Sequence, residues 1–113
     1  MTQAMNTSEI YNLTLQDRKT LVQRALKLSE EAGELAQAVL SATHAPGCDY
    51  KQLSMGDVRE EAADVLIVAL SILAQASGDQ DEFERELASL MEEKSRKWRA
   101  VCQQTNDLLH DHV

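Results

Sequence analysis

Arg59 to Ala76 reads REEAADVLIVALSILAQA. From Val65 onward only Ser71 and Gln75 interrupt its apolar side chains. Its Ala and Leu favour a helix. A helix that is apolar on nearly every side must be covered on nearly every side. Three helices in so small a chain can hardly do that. The stretch therefore predicts a dimer or larger bundle with this helix at its centre.

The surroundings can be read outward from this helix. Asp57-Val58-Arg59-Glu60 reads as a capping box, with Asp57 as N-cap. The helix should continue to Ser77, where Gly78 offers a C-cap. Upstream, residues 44–56 hold the only Pro and read as the one obvious loop. Before that loop, Leu21, Ala25, Leu28, Ala32, Leu35 and Val39 recur at steps of three and four. They predict an amphipathic helix that starts near Thr14 to Asp17 and ends near Thr43 to Pro46. Downstream, a third helix should run from about Asp79–Asp81 to about Gln103. Its acids (Asp81, Glu82, Glu84, Glu86) come first and its bases (Lys94, Arg96, Lys97, Arg99) later. That order suits the helix macrodipole. Residues 1–13 read as an N-terminal arm and 104–113 as a fraying tail. The expected architecture is one all-α domain over residues 1–113. It has three main helices per chain and is completed by dimerisation, with a dimer of dimers open.

Composition agrees. The chain has 113 residues, of which 43% are hydrophobic, with one Pro, four Gly and 4% aromatic residues. An all-β fold needs more turn and aromatic residues. The 19 acids against 11 bases give a net charge of −8, which argues against a nucleic-acid partner. Cys48 and Cys102 fit no disulfide framework or zinc spacing and read as reduced thiols of a cytoplasmic protein. No signal peptide is visible, and Val65–Ala74 is too short for a membrane span.

Ser29 to Ser41 reads SEEAGELAQAVLS, and Arg59 to Ser71 reads REEAADVLIVALS. Each segment carries Glu-Glu followed by an acid three residues on: Glu30, Glu31 and Glu34, then Glu60, Glu61 and Asp64. Residues three apart share a helix face, so Glu31 pairs with Glu34 and Glu61 with Asp64. By helical phase these pairs border apolar surface. Unpartnered carboxylates there are costly and repel one another. A hard cation resolves the conflict, Mg²⁺ above all, with Mn²⁺ able to substitute. Surface pairing with Lys27 or Arg59 is the plainer alternative, and it explains a doubled motif poorly. No Glu-x-x-His exists for a di-iron centre, and His110 and His112 lie in the tail. Six of the 19 acids sit in the two motifs, and the remaining 13 nearly balance the 11 bases.

The run Glu30-Glu31-x-x-Glu34, then 26 residues, then Glu61-x-x-Asp64 resembles the signature of MazG-like nucleoside triphosphate pyrophosphohydrolases. These belong to the all-α NTP pyrophosphatase superfamily. The resemblance covers roughly residues 18 to 98. It implies an all-α dimer or tetramer. It also implies Mg²⁺-dependent hydrolysis of a nucleoside triphosphate to the monophosphate and pyrophosphate, as in nucleotide-pool house-cleaning. Carried over by position, Glu31, Glu34, Glu61 and Asp64 would be the metal ligands. One acid, Glu30 or Glu34, would take the proton of the attacking water.

A triphosphate also needs cations. Lys27 lies one turn before Glu31, and the resemblance implies phosphate contacts late in the third helix, where Lys94 and Lys97 stand. Tyr50, in the loop, reads as a gate or base contact, and Trp98 as a core or interface anchor. Two alternatives stay open. One is phosphoribosyl-ATP pyrophosphohydrolase, which has related glutamate motifs. The other is a catalytically silent helical dimerisation or regulatory module.

Overall fold

The structure, a computed structural model, describes residues 6–47 and 52–111. It contains α1 (Thr7–Gln16), α2 (Leu21–Ala42), α3 (Met55–Gln75) and α4 (Gln80–Asp111). No strand occurs among the described residues. The chain is all-α as expected, but with four helices in place of three main ones.

The extra helix arises from two capping events. Asn6 Oδ1 accepts from the Glu9 N–H at 2.9 Å and starts α1. Thr20 and Gln23 form a reciprocal box: Gln23 N–H donates to Thr20 Oγ1 at 3.1 Å, and Thr20 N–H to Gln23 Oε1 at 2.8 Å. The helix expected from Thr14–Asp17 is therefore two helices, broken at residues 17–20. The expected arm (residues 1–13) holds most of α1, which lies on α3 and α4.

The other boundaries also move. Ser54, not Asp57, is the N-cap of α3, and Asp57 sits at the third helical position. The Ser54 N–H donates to Asp57 Oδ2 at 2.7 Å. That bond holds the Asp57 carboxyl below its ordinary value. α3 stops at Gln75 with Ala76 as its cap, so Gly78 lies beyond the cap. The Gly78 N–H instead donates to the Glu82 carboxylate. α4 continues to Asp111, so the tail expected to fray from residue 104 is helical.

α2 and α3 form the main pair, and they run antiparallel. Arg24 at the start of α2 meets Gln75 at the end of α3. Ser41 at the end of α2 accepts from Leu53 N–H, just before α3. The face α2 buries differs from the expected stripe. Leu28 and Leu35 are half-buried, but their buried neighbours are Arg24, Glu31, Ala38 and Ser41. Ala25, Ala32 and Val39 of the expected stripe are exposed. The helix is turned toward its polar side because Arg24 and Ser41 find partners across the interface.

The apolar centre is small: Ala38, Leu70, Ala74 and Phe83. Phe83 is fully buried and stacks on Tyr11 with ring centroids 6.0 Å apart. It is the main anchor of α4. Past Ser95 every α4 residue whose side chain is described is exposed. Trp98, expected as an anchor, is 72% exposed and is no core residue of this chain. Among the described residues, no helix is long and apolar enough to cross a membrane.

Candidate metal centre and adjoining cavity

The antiparallel pairing of α2 and α3 sets the two acidic motifs side by side. Glu31, Glu34 and Glu61 each present one carboxylate oxygen, and the three oxygens lie within 4.8 Å of one another. Glu31 is buried, Glu61 half-buried and Glu34 exposed, so the cluster opens to solvent on the Glu34 side. Asp64, one turn beyond Glu61, is exposed and stands outside this trio. Glu30 is exposed and turns toward Lys27 at 3.6 Å.

Two buried oxygens, Glu31 Oε2 and Glu61 Oε2, have no hydrogen-bond partner. Buried polar atoms are almost always paired, so two orphans in one cluster mark a place where something else supplies the partner. Hydrogen-bond donors are scarce here. Burial pushes the Glu61 carboxyl above its ordinary value, and the charges of Glu34, Asp64 and Glu31 push it further. Oxygen donors with spare lone pairs are what a hard divalent cation requires.

The single cation at the cluster is Lys27 among the described residues. Its Nζ lies 3.1 Å from Glu31 Oε1. The ammonium is held above its ordinary value, first by the hydrogen bond to Glu31 and then by the Glu30 charge. Lys27 also lines the rim of a cavity of about 520 Å³ between α1, α2 and α3. Ile10 and Leu13 of α1 and Ile67 and Val68 of α3 give the cavity apolar walls. Arg24, Asp17 and Ser71 add polar groups.

Arg24 holds this cavity together, and sequence reasoning missed it. The residue is 5% exposed. Nε donates to Gln75 Oε1 at 2.6 Å, and Nη2 donates to the carbonyls of Thr14 at 2.9 Å and Asp17 at 2.6 Å. Gln75 in turn donates to the Lys19 carbonyl at 3.0 Å. The network fastens the end of α1 and the 17–20 linker to α2 and α3. The Thr20-x-x-Gln23 box was a readable signal for the linker. Nothing local marked Arg24 as buried.

Of the other candidates, Lys94 and Lys97 are exposed on α4 and form no ion pair among the described residues. The structure does not bring them to the carboxylates. Tyr50 lies outside the described residues.

The MazG nucleotide pyrophosphohydrolase domain family matches residues 16–105. No curated protein and no solved structure matches the chain. The family match takes in α2, α3 and most of α4, with both acidic motifs inside it, and leaves nearly all of α1 outside. The chain thus belongs to the MazG nucleotide pyrophosphohydrolase domain family.

Proposed function

We propose that the chain hydrolyses a nucleoside triphosphate to the monophosphate and pyrophosphate at the carboxylate cluster of α2 and α3. The observation that carries this reading is the trio Glu31, Glu34 and Glu61, with its two orphaned buried oxygens. In this reading the trio holds a divalent cation, Mg²⁺ or Mn²⁺, with Asp64 as a further acid beside Glu61. The cation, when bound, neutralises charge on the phosphates as the anhydride bond breaks.

The chain's own residues do the rest. Glu31 is buried and Glu61 half-buried, and each contributes one oxygen to the cluster. Glu34 faces solvent and receives the substrate side. Glu30 stands outside the trio and is the acid we assign to accept the proton of the attacking water, with Glu34 as the alternative. Lys27 is bonded to Glu31 in the free protein and sits at the cavity rim, where it can turn to the phosphates. The cavity of about 520 Å³ is large enough for a base and its sugar. Its walls are aliphatic, so the base is held by apolar contact and by the polar edge of Asp17, Arg24 and Ser71. Tyr50 remains a candidate gate.

The same reading includes a homodimer or homotetramer. Leu26, Leu40, Leu66 and Ile67 are 44–66% exposed on α2 and α3, apolar side chains that one chain leaves uncovered. The setting is the cytoplasm, where nucleotide pools are kept, and the proposed role is house-cleaning of those pools.

The test is pyrophosphate release from a panel of canonical and modified nucleoside triphosphates and phosphoribosyl-ATP, with and without Mg²⁺. Release that requires the cation supports the proposal. Silence across the panel at high protein concentration refutes it. Hydrolysis of phosphoribosyl-ATP alone would move the substrate to histidine biosynthesis.

A further inference from the structure

We infer that the cavity between α1, α2 and α3 selects guanine, with Asp17 accepting from the N1–H and the 2-amino group of the base and Arg24 donating to its O6. The inference rests on the reading that this cavity receives the base of the substrate, and it names which base.

Most polar groups of the cavity are already spent. Thr14 Oγ1 donates to the Ile10 carbonyl at 2.7 Å, and Ser71 Oγ donates to the Val68 carbonyl at 2.7 Å. Each hydroxyl has a single proton, so toward a ligand both can only accept. Lys27 is engaged by Glu31 at 3.1 Å and Lys19 by Asp17 at 3.3 Å. Gln16 is exposed, and its amide both donates and accepts, so it does not discriminate. Arg24 spends Nε and Nη2 on Gln75, Thr14 and Asp17. Its Nη1 makes no hydrogen bond among the described residues, and the Asp17 carboxylate at 3.9 Å is too far for one. In a residue as buried as Arg24, unspent N–H groups call for a partner. The cavity thus offers a ligand one buried donor, Nη1, beside a carboxylate and two hydroxyls that accept.

A base that fits presents one acceptor next to several donors. Uracil, thymine and hypoxanthine carry one ring N–H on their pairing edge, beside carbonyl or bare-nitrogen acceptors. Adenine and cytosine carry one amino group beside a bare ring nitrogen. Among the common bases, guanine alone sets two donor groups, N1–H and the 2-amino group, in a row beside an acceptor, O6. That row matches Nη1 and the adjacent carboxylate: O6 accepts from Arg24 while the two donors meet the two oxygens of Asp17. Bonds to a charged acceptor are the stronger kind. The Lys19–Asp17 pair is half exposed on both sides, so it is weak and yields to a ligand.

Position and shape agree. Arg24 and Glu31 lie seven residues apart on one face of α2, about 10 Å of helix rise. A base held at Arg24 therefore has its phosphates directed along α2, past Lys27 and toward the carboxylates. Ile10 and Leu13 on one side, and Ile67 and Val68 on the other, give a planar ring apolar walls. Ile10, Leu13 and Thr14 precede residue 16, where the family match begins, so this wall comes from outside the matched region.

The experiment compares dGTP with dITP, which differ only by the 2-amino group, with dATP, dCTP and dTTP alongside. Pyrophosphate release is followed for wild type and Asp17→Asn at saturating Mg²⁺. Wild type should favour dGTP over dITP by about tenfold in kcat/KM, the lower end for bonds to a charged group, because the Asp17 side chain is 53% exposed. Asp17→Asn turns one accepting oxygen into a donor. It should bring the dGTP/dITP ratio close to one and raise the rate on dXTP, whose 2-carbonyl accepts where guanine donates. A purely structural role for Asp17 would instead lower all substrates alike. Calorimetry with GMP and IMP makes the same comparison without turnover, and GMP should bind wild type about tenfold more tightly. Equal rates on dGTP and dITP, preference for another base, an unchanged ratio in Asp17→Asn, equal binding of GMP and IMP, or binding of neither would each overturn the inference. Pyrophosphate release from every base alike refutes the guanine selection and leaves the proposed reaction standing. Silence on every triphosphate, with GMP still bound more tightly than IMP, refutes the reaction and leaves the selective cavity standing.

Discussion

Arg24→Met tests the element that shapes the cavity. The guanidinium makes three hydrogen bonds, to Gln75 Oε1 and to the carbonyls of Thr14 and Asp17. Its Nη1 also lies 3.9 Å from the Asp17 carboxylate, but that partner is 53% exposed and the pair adds little. Met keeps most of the apolar stem and removes every donor. The Asp17 carbonyl can regain water, whereas the Thr14 carbonyl, whose bond to Arg24 is buried, cannot. Hydrogen bonds from a charged donor contribute about 1.5–3 kcal/mol each, and the three share one donor group, so they do not add. We expect a loss of about 3 kcal/mol, near the lower end for breaking a buried charged network. In a chain of this size that lowers Tm by about 10 °C. Urea unfolding followed by circular dichroism measures it. The same change frees α1, which walls the cavity, so KM should rise more than kcat falls. A stability loss under about 1 kcal/mol, with KM unchanged, would refute the clamp.

Three further outcomes are expected. Phe83→Ala should cost about 3–5 kcal/mol, since the ring is fully buried and stacks on Tyr11; urea midpoints check it, and a cost near zero would mean α4 is anchored elsewhere. Glu61→Gln should abolish pyrophosphate release yet leave the metal-free protein no less stable, because it removes a carboxylate that its neighbours repel; full activity would exclude Glu61 from the site. The pH profile follows from the same group. The folded-state pKa of Glu61 is raised, so its favourable contribution is complete below the ordinary value of 4.5 and is lost as pH rises through the raised value. The Tm of metal-free wild type relative to Glu61→Gln should therefore climb as pH falls toward 4.5, and saturating Mg²⁺ should remove that climb; a flat difference would contradict it.

What could be read in the sequence was what depends on helical phase. Glu31 and Glu34, and Glu61 and Asp64, share faces by their spacing alone, and antiparallel pairing of two long helices was enough to bring three of the four acids together. Asp64 falls outside the trio because its exact approach depends on how α3 is rotated, which no local pattern encodes. The break at residues 17–20 was legible in Thr20-x-x-Gln23, but the helix was started at Thr14 to Asp17, ahead of its first apolar step at Leu21. Ser54 and Asp57 stand three apart like any capping pair, so choosing the cap required knowing where the loop ended. Arg24 was beyond reach because its burial depends on carbonyls of α1 and a side chain of α3, 51 residues away.

The rotation of α2 ties these differences to one cause. An interface built on Ala25, Ala32 and Val39 would have been drier, and it would have turned Glu31 toward solvent. Burying Arg24 and Glu31 instead costs desolvation at both. At Arg24 the cost is offset by three hydrogen bonds, which fix the linker and hold α1 over the cavity. At Glu31 only one oxygen is answered, by Lys27, and the other is left open. The two polar groups lie seven residues apart on the same face, two turns of helix. One rotation of α2 therefore positions both the cavity wall and the carboxylate, and it leaves Val22, Leu26 and Leu40 exposed on the opposite side.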